Sequence, residues 1–320
     1  MNRFFRFSPA CKITSTEAVL NLAPQCITSF PISIHPEAHK ISRGALDART
    51  HLQHFDSHKE FRSHSAGPYG NFFAICWPGS NVSKAKLAAE IIETLWIYDD
   101  VAETLPHSSA LQTHANLRDC LTGEREKTSR DIVVELFGNF KSRLTKMDSQ
   151  GAPALIDALR SYLDTYDSQN GLPPTLQEYI EFRILNVGFR IMETFMQWTM
   201  GIRLDETEVA MSRNFYLSAG RVMALTNDLY SWEVERSESA DRSWNAVLIL
   251  MKQHIMEKKD AVAVLKGLIV YYEQQTRRLG LEVRGNSKRS RKMSRYVEAM
   301  ELMLGGNCFW SSTCPRYMPA

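Results

Sequence analysis

Apolar residues along this chain recur at a period near 3.6, and no stretch shows a run of alternating strands. Between Val82 and Glu103 they fall at Leu87, Ala88, Ile91, Ile92, Leu95 and Trp96. Ser80 and Asn81 stand ahead of that run, where they can cap it. The same spacing predicts helices over 131–146, 152–167, 175–200, 206–236, 243–256, 258–279 and 288–304. Pro173 and Pro174 punctuate the approach to 175–200, with Thr175 as its N-cap. A chain patterned this way folds as an all-α helical bundle, in which sites are built from inward-facing side chains of opposed helices. No internal repeat or long linker divides it. One domain over 1–320 is expected, with a loosely ordered arm at 1–45 and a polar basic loop at 280–294.

Charge and composition exclude some partners. Lys plus Arg number 38 and Asp plus Glu 36, so a net charge of +2 gives no global field for nucleic acid or an anionic membrane. No window approaches the roughly 18 apolar residues that span a bilayer, so stable membrane insertion is not expected. Arg3, Arg6 and Lys12 precede the first acid, Glu17, but no long apolar run or amphipathic stripe makes that start a targeting segment. The six cysteines (Cys11, Cys26, Cys76, Cys120, Cys308, Cys314) form no CxxC pair, which fits free thiols in a reducing, cytoplasmic setting.

Two other clusters read as solvated surface. His51, His54 and His58 follow helical spacing, with His35, His39 and His64 nearby, yet no Cys or carboxylate at matching phase completes a zinc set. The basic run from Arg284 to Arg295 lacks interleaved aromatics and reads as a solvated or lid loop.

The 82–103 helix ends in Asp99-Asp100-Val101-Ala102-Glu103. Asp99 and Glu103 share a face, with Trp96 and Ile92 continuing it as an apolar wall. Carboxylates at a helix C-terminus oppose the macrodipole at a cost of up to about 1 kcal/mol. A hard cation such as Mg2+ would compensate. Alone, such a string is a weak signal. Its counterpart is Asn227-Asp228-Leu229-Tyr230-Ser231-Trp232-Glu233-Val234-Glu235, where Asn227, Ser231 and Glu235 form a strip of side-chain oxygens along two turns. Four specified residues in one spacing are far rarer by chance.

The two motifs resemble the aspartate-rich and NSE/DTE metal motifs of class I terpene synthases. Two further stretches agree: Tyr179-x-x-x-Arg183 through Gly188, and Gly306-Asn307-Cys308-Phe309-Trp310-Ser311 followed by Arg316-Tyr317. The resemblance covers about residues 65–320 and is greatest to the single-domain and N-terminal cyclase units of fungal terpene synthases, with a DDxxE first motif.

The resemblance implies a helical bundle around a central active-site cavity and three Mg2+ ions. Asp99 would carry two of them, with Glu103 a weaker or indirect ligand, and Asn227, Ser231 and Glu235 would carry the third. Asp100 would orient an arginine. Arg183 and Arg316 would grip the diphosphate of a prenyl substrate, and Tyr317 would add a hydroxyl. Gly188 would mark a helix break whose carbonyl faces the substrate. Trp96, Phe189 and Trp310, then Phe73 and Trp77, would wall the carbocation. The 280–294 loop and the C-terminal tail would serve as lids.

Farnesyl diphosphate (C15) is the expected substrate, from the compact length and the bulk of Trp96; geranylgeranyl diphosphate (C20) is the alternative. A chain-elongating prenyl diphosphate synthase would need a second aspartate-rich motif, and a non-catalytic helical binding protein would not need the ligand set. A homodimer is compatible with the resemblance. One departure stands out: the family commonly places Lys or Arg just before the last glutamate of the second motif, where this chain has Val234. Arg236, Arg221 or a more distant cation would have to substitute.

Overall fold

In the computed structural model of the chain, the described residues are 11–13, 16–55, 63–103, 105–122, 132–165, 175–235, 244–285 and 291–318. A two-stranded antiparallel ribbon, β1 (Cys11–Ile13) and β2 (Ile32–Ile34), pairs Lys12 with Ser33. Helices make up the remaining regular structure. In chain order they are α1 (Thr16–Leu22), α2 (Ala38–Phe55), α3 (Phe72–Cys76), α4 (Val82–Glu103), α5 (His107–Thr122), α6 (Ile132–Met147) and α7 (Ala152–Thr165). There follow α8 (Leu176–Asn186), α9 (Phe189–Met200), α10 (Glu206–Glu235), α11 (Ala246–His254), α12 (Lys258–Gly285) and α13 (Arg291–Ser311). A 3-10 turn, Pro315–Tyr317, comes last.

Local chemistry sets the boundaries. Asn81 Oδ1 accepts from Lys84 N at 3.1 Å and starts α4. Thr175 caps α8, its hydroxyl accepting from Glu178 N at 3.2 Å and donating to the Glu178 carboxylate at 2.6 Å. The helix expected over 175–200 is two helices. Gly188 takes φ +73°, a left-handed conformation that glycine tolerates without a Cβ penalty, and α9 restarts there. Helices α1, α2, α3 and α5 lie outside the predicted spans; α3 is wholly buried and carries no amphipathic stripe to reveal it.

The bundle core runs between α3, α4, α9 and α13. Gly306 lets α13 lie against the α3 backbone, since a Cβ there would meet Ile75 O at 2.6 Å. Two glutamates lie fully buried on α4. Glu90 takes both guanidinium arms of Arg143 at 2.6 Å, and Glu93 accepts from the 63–65 segment. A second apolar cluster, including Tyr179, Ile180, Leu225, Trp232, Val247 and Leu265, joins α8, α10, α11 and α12.

Two expectations change. The loosely ordered arm over 1–45 does not describe its second half, where Cys26, Phe30, Ile32 and Ile41 are buried. Glu273 on α12 holds that segment by accepting from Thr28 Oγ1, Ser29 N and Ser29 Oγ. The basic loop over 280–294 is helical at both ends, with 280–285 in α12 and 291–294 in α13, while 286–290 lies outside the described residues. His51 is exposed on α2 and pairs with Glu90 at 3.2 Å, while His35 and His64, outside that helix, are buried. His58 lies outside the described residues, as does the side chain of His54. Cys26, Cys76, Cys120, Cys308 and Cys314 are free thiols. No helix among the described residues is long and apolar enough to cross a membrane.

Candidate active site

Acidic and polar side chains gather where several helices end. Asp99 and Asp100 lie in the last turns of α4, Arg183 in the last turn of α8, and Asn227 to Glu235 in the last turns of α10. Each of these helix ends carries partial negative charge, so carboxylates placed there add to an unfavourable field. The cations within contact are few and specific.

Arg183 is the first. Its Nε donates to Asp228 Oδ1 at 2.9 Å, its Nη2 to Asn227 Oδ1 at 2.7 Å, and its Nη1 to Asn186 Oδ1. Burial alone would lower the Arg183 pKa, but the Asp228 carboxylate outweighs it and drives it above the ordinary value. Asp228 is 0% exposed and also accepts from Tyr179 OH at 2.5 Å and Ala246 N at 2.9 Å. That pairing makes Asp228 a brace between α8, α10 and α11. The motif string alone did not assign it a role.

Arg316 is the second. Its Nη2 donates to Asp100 Oδ1 at 3.2 Å, and His64 Nε2 lies 2.5 Å from Asp100 Oδ2. Burial would raise the Asp100 pKa, yet the His64 and Arg316 partners more than offset it and hold the carboxyl below its usual value. Next to Arg316, Tyr317 OH accepts from Asn227 Nδ2 at 2.9 Å. Burial pushes the Tyr317 hydroxyl up to about 12, so it stays protonated at neutral pH. The 3-10 turn at 315–317 therefore touches both motifs at once, Asp100 through Arg316 and Asn227 through Tyr317.

Asp99 Oδ2 accepts from Tyr162 OH at 3.0 Å. The ring of Tyr162 also passes 3.7 Å from where a Gly188 Cβ would stand, so the helix break and the first motif meet at this tyrosine. The Gly188 carbonyl itself accepts from Met192 N at 3.0 Å inside α9. Tyr162 carries no sequence signal beyond its place on the inner face of α7. The side chain of Glu103 lies outside the described residues.

The second strip offers oxygen donors that fit a hard cation. Ser231 Oγ is buried without a hydrogen bond of sound geometry, although the Glu235 carboxylate is close enough to feel it. Burial raises the Glu235 pKa, partly offset by Arg183, and Asn245 Nδ2 donates to its Oε2 at 2.8 Å. Asn227 Oδ1 keeps a second lone pair beyond the one Arg183 uses. An amide oxygen, a buried hydroxyl and a buried carboxylate in one strip suit Mg2+, which prefers few protein oxygens. Among the described residues no three His, Cys, Asp or Glu side chains form a cage on their own.

Aromatic rings pack together beneath the first motif. Trp96 is half-buried below Asp99 and packs on Phe72 (5.1 Å between ring centroids), Phe73 (5.6 Å) and Trp310 (6.1 Å). Trp310 continues to Tyr317 at 5.8 Å, so the aromatic cluster reaches the polar turn. Trp77 sits behind Phe73. Phe189 is fully buried against Tyr216 and below Gly220, whose absent Cβ makes room for its ring.

Other expectations also shift. Arg221 points to α12, its guanidinium 5.5 Å from the Tyr272 ring, and so does not fill the gap beside Val234; Arg236 lies outside the described residues. Glu233 is neutralised by Lys258. Gly285 and Arg291, which bracket the expected lid loop, stand at the opposite end of the 21-residue α13 from Ser311. That is about 30 Å of helix from the turn that carries Arg316, and 286–290 between Gly285 and Arg291 lies outside the described residues.

A family model for terpene synthase family 2, C-terminal metal binding, matches residues 90–275. The chain is 29% identical over 311 residues to a sesterterpene synthase of Colletotrichum orbiculare, and 25% identical over 303 residues to variediene synthase of Emericella variicolor. Each alignment takes in 91% of this chain and 43% of the relative, so the chain spans less than half the length of either. Aristolochene synthase from Penicillium roqueforti superimposes with a TM-score of 0.73 at 17% identity, over 90% of this chain and 98% of that one. That likeness concerns the helical fold.

Proposed function

The chain belongs to terpene synthase family 2, whose C-terminal metal-binding model it matches over more than half its length, and from that premise we propose that it is a terpene cyclase. In this reading a single domain ionises a linear prenyl diphosphate and cyclises the resulting carbocation, releasing diphosphate. The observation that carries it is the 315–317 turn, which joins Asp100 through Arg316 to Asn227 through Tyr317.

Asp99, Asn227, Ser231 and Glu235, with Glu103, are the residues that would hold Mg2+. When bound, the metal supplies positive charge against the departing diphosphate. The chain's own residues perform the remaining tasks. Arg183 and Arg316 present planar guanidinium forks that suit phosphate oxygens. Their current partners, Asn227 and Asp100, keep both forks pre-oriented, so little reorganisation is needed as negative charge develops. The protonated Tyr317 hydroxyl adds a neutral donor. Below them, Trp96 offers an aromatic face, worth about 0.5–2 kcal/mol to a passing cation, and no nucleophile to trap it.

Two observations pull the chain length in opposite directions. The packed rings of Trp96, Phe72, Phe73 and Trp310 beneath Asp99 favour the shorter farnesyl diphosphate. One relative is a sesterterpene synthase, which favours a longer substrate of C25.

The deciding experiment incubates the chain with C10, C15, C20 and C25 diphosphates and Mg2+, with products identified by gas chromatography–mass spectrometry. Asp99→Ala serves as the control and should be inactive while still folded. Turnover of none of the four substrates, or near-normal turnover by that variant, would sink the proposal.

A further inference from the structure

We infer that His64 is a positioning residue of this site, fixing Asp100 so that Arg316 stays available to a diphosphate. The inference rests on the diphosphate reading above and adds a residue from outside both motifs.

The loop that carries His64 is tied down from three directions. Glu93, 0% exposed on α4, accepts from Ser63 Oγ at 3.1 Å, His64 N at 2.7 Å and Ser65 N at 3.0 Å. From the α3 side, Asn71 Nδ2 donates to Ser65 Oγ at 2.6 Å and Phe72 N to Ser65 O at 2.8 Å. From α13, Trp310 Nε1 donates to the same Ser65 carbonyl at 3.0 Å. A buried carboxylate satisfied by two backbone N–H groups and a hydroxyl makes a rigid anchor. His64 itself is 8% exposed.

The division of Asp100 follows from that anchor. Oδ2 faces His64 Nε2 and Oδ1 faces Arg316 Nη2. An ionised carboxylate only accepts, so His64 Nε2 is the nitrogen that carries the proton in this contact. With one oxygen held by His64, Arg316 meets Asp100 through a single N–H and keeps the rest of its fork for a ligand. Without His64, both carboxylate oxygens can take the guanidinium edge-on, the preferred bidentate geometry. Asp100 would then compete with diphosphate for the same donors. The loss falls on ligand binding in the ground and transition states alike, which raises KM and leaves kcat nearly unchanged.

The test uses the full chain as wild type, H64A and H64Q. Binding of inorganic diphosphate with Mg2+ is followed by calorimetry, beside steady-state kinetics on whichever prenyl diphosphate the wild type turns over. H64A should raise both Kd and KM about tenfold with kcat within about threefold, and H64Q, which restores an N–H at similar reach, should recover most of that loss. If H64A does not fold, H64F, which keeps a ring but no donor, takes its place. Wild-type affinity in the donor-less variant, or equal loss in H64Q, overturns the role, as does a wild type that binds no diphosphate. A wild type that binds diphosphate but turns over no prenyl substrate sinks the proposed function alone, and the binding series still decides His64.

Discussion

Asn227 Nδ2 donates to the Tyr317 hydroxyl at 2.9 Å while Asn227 Oδ1 accepts from Arg183 at 2.7 Å, so one amide is oriented by the C-terminal turn and by α8 together. Removing the hydroxyl in Tyr317→Phe leaves the amide free to turn, at a cost near 1 kcal/mol for a neutral hydrogen bond. The expected result is kcat/KM lower by about five- to tenfold, with the Mg2+ concentration for half-maximal rate raised severalfold. Rates measured across a Mg2+ titration check it. An unchanged metal dependence would separate Tyr317 from the metal strip.

Arg183 is both a brace for Asp228 and a candidate grip on diphosphate, and two substitutions separate those roles. Arg183→Met strips the charge from beside a fully buried carboxylate and should lower unfolding free energy by about 3–5 kcal/mol in denaturant titrations. Arg183→Lys keeps the charge but not the fork that reaches Asp228 and Asn227 together. It should keep most of the stability yet lose about a hundredfold in diphosphate release. Equal losses of stability in the two variants would argue against the distinction.

What sequence alone revealed follows from which physics leaves a local trace. The 82–103 helix was legible to the residue because its apolar period is sustained and its cap is a side chain in sequence, Asn81. The strip of Asn227, Ser231 and Glu235 was legible because helical spacing puts the three on one face. The partners that hold the site were not. Tyr162 on Asp99, Asn245 on Glu235 and His64 on Asp100 come from distant segments, and nothing near them in sequence announces the pairing. The burial of His64 depends on Glu93, nearly thirty residues away, and so leaves no local trace. The slot that Gly220 on α10 opens for the Phe189 ring is equally non-local.

Val234 leaves the second motif without the basic neighbour common in the family, and Arg221 is turned away towards Tyr272. Val234→Lys adds an ammonium one residue from Glu235. If diphosphate sits at this strip, KM should fall about threefold at low ionic strength and the gain should shrink as salt approaches 1 M. Kinetics at two salt concentrations measure it. A KM that does not respond would place the diphosphate away from this face of α10.

Glu193 on α9 carries a pH dependence that is independent of the metal strip. Burial raises its pKa from 4.5 to about 7, although Tyr296 on α13 donates to it at 2.9 Å and Gln197 at 2.6 Å. Tyr216 on α10 and Arg190 on α9 are the other titratable groups within electrostatic reach. Because the folded-state pKa lies above the unfolded one, the folded chain holds a proton between those two values that the unfolded chain has released. Stability therefore falls as pH rises through that window, and above pH 7 the buried charge costs about 3 kcal/mol. Below about pH 4.5 the carboxyl is protonated in both states and the cost vanishes. Glu193→Gln is neutral throughout and keeps an oxygen for Tyr296. It should match the wild type in thermal unfolding near pH 5 and exceed it by several degrees at pH 8. Melting curves for the two proteins that stay parallel from pH 5 to 8 would show that Glu193 is ionised and compensated in the folded state.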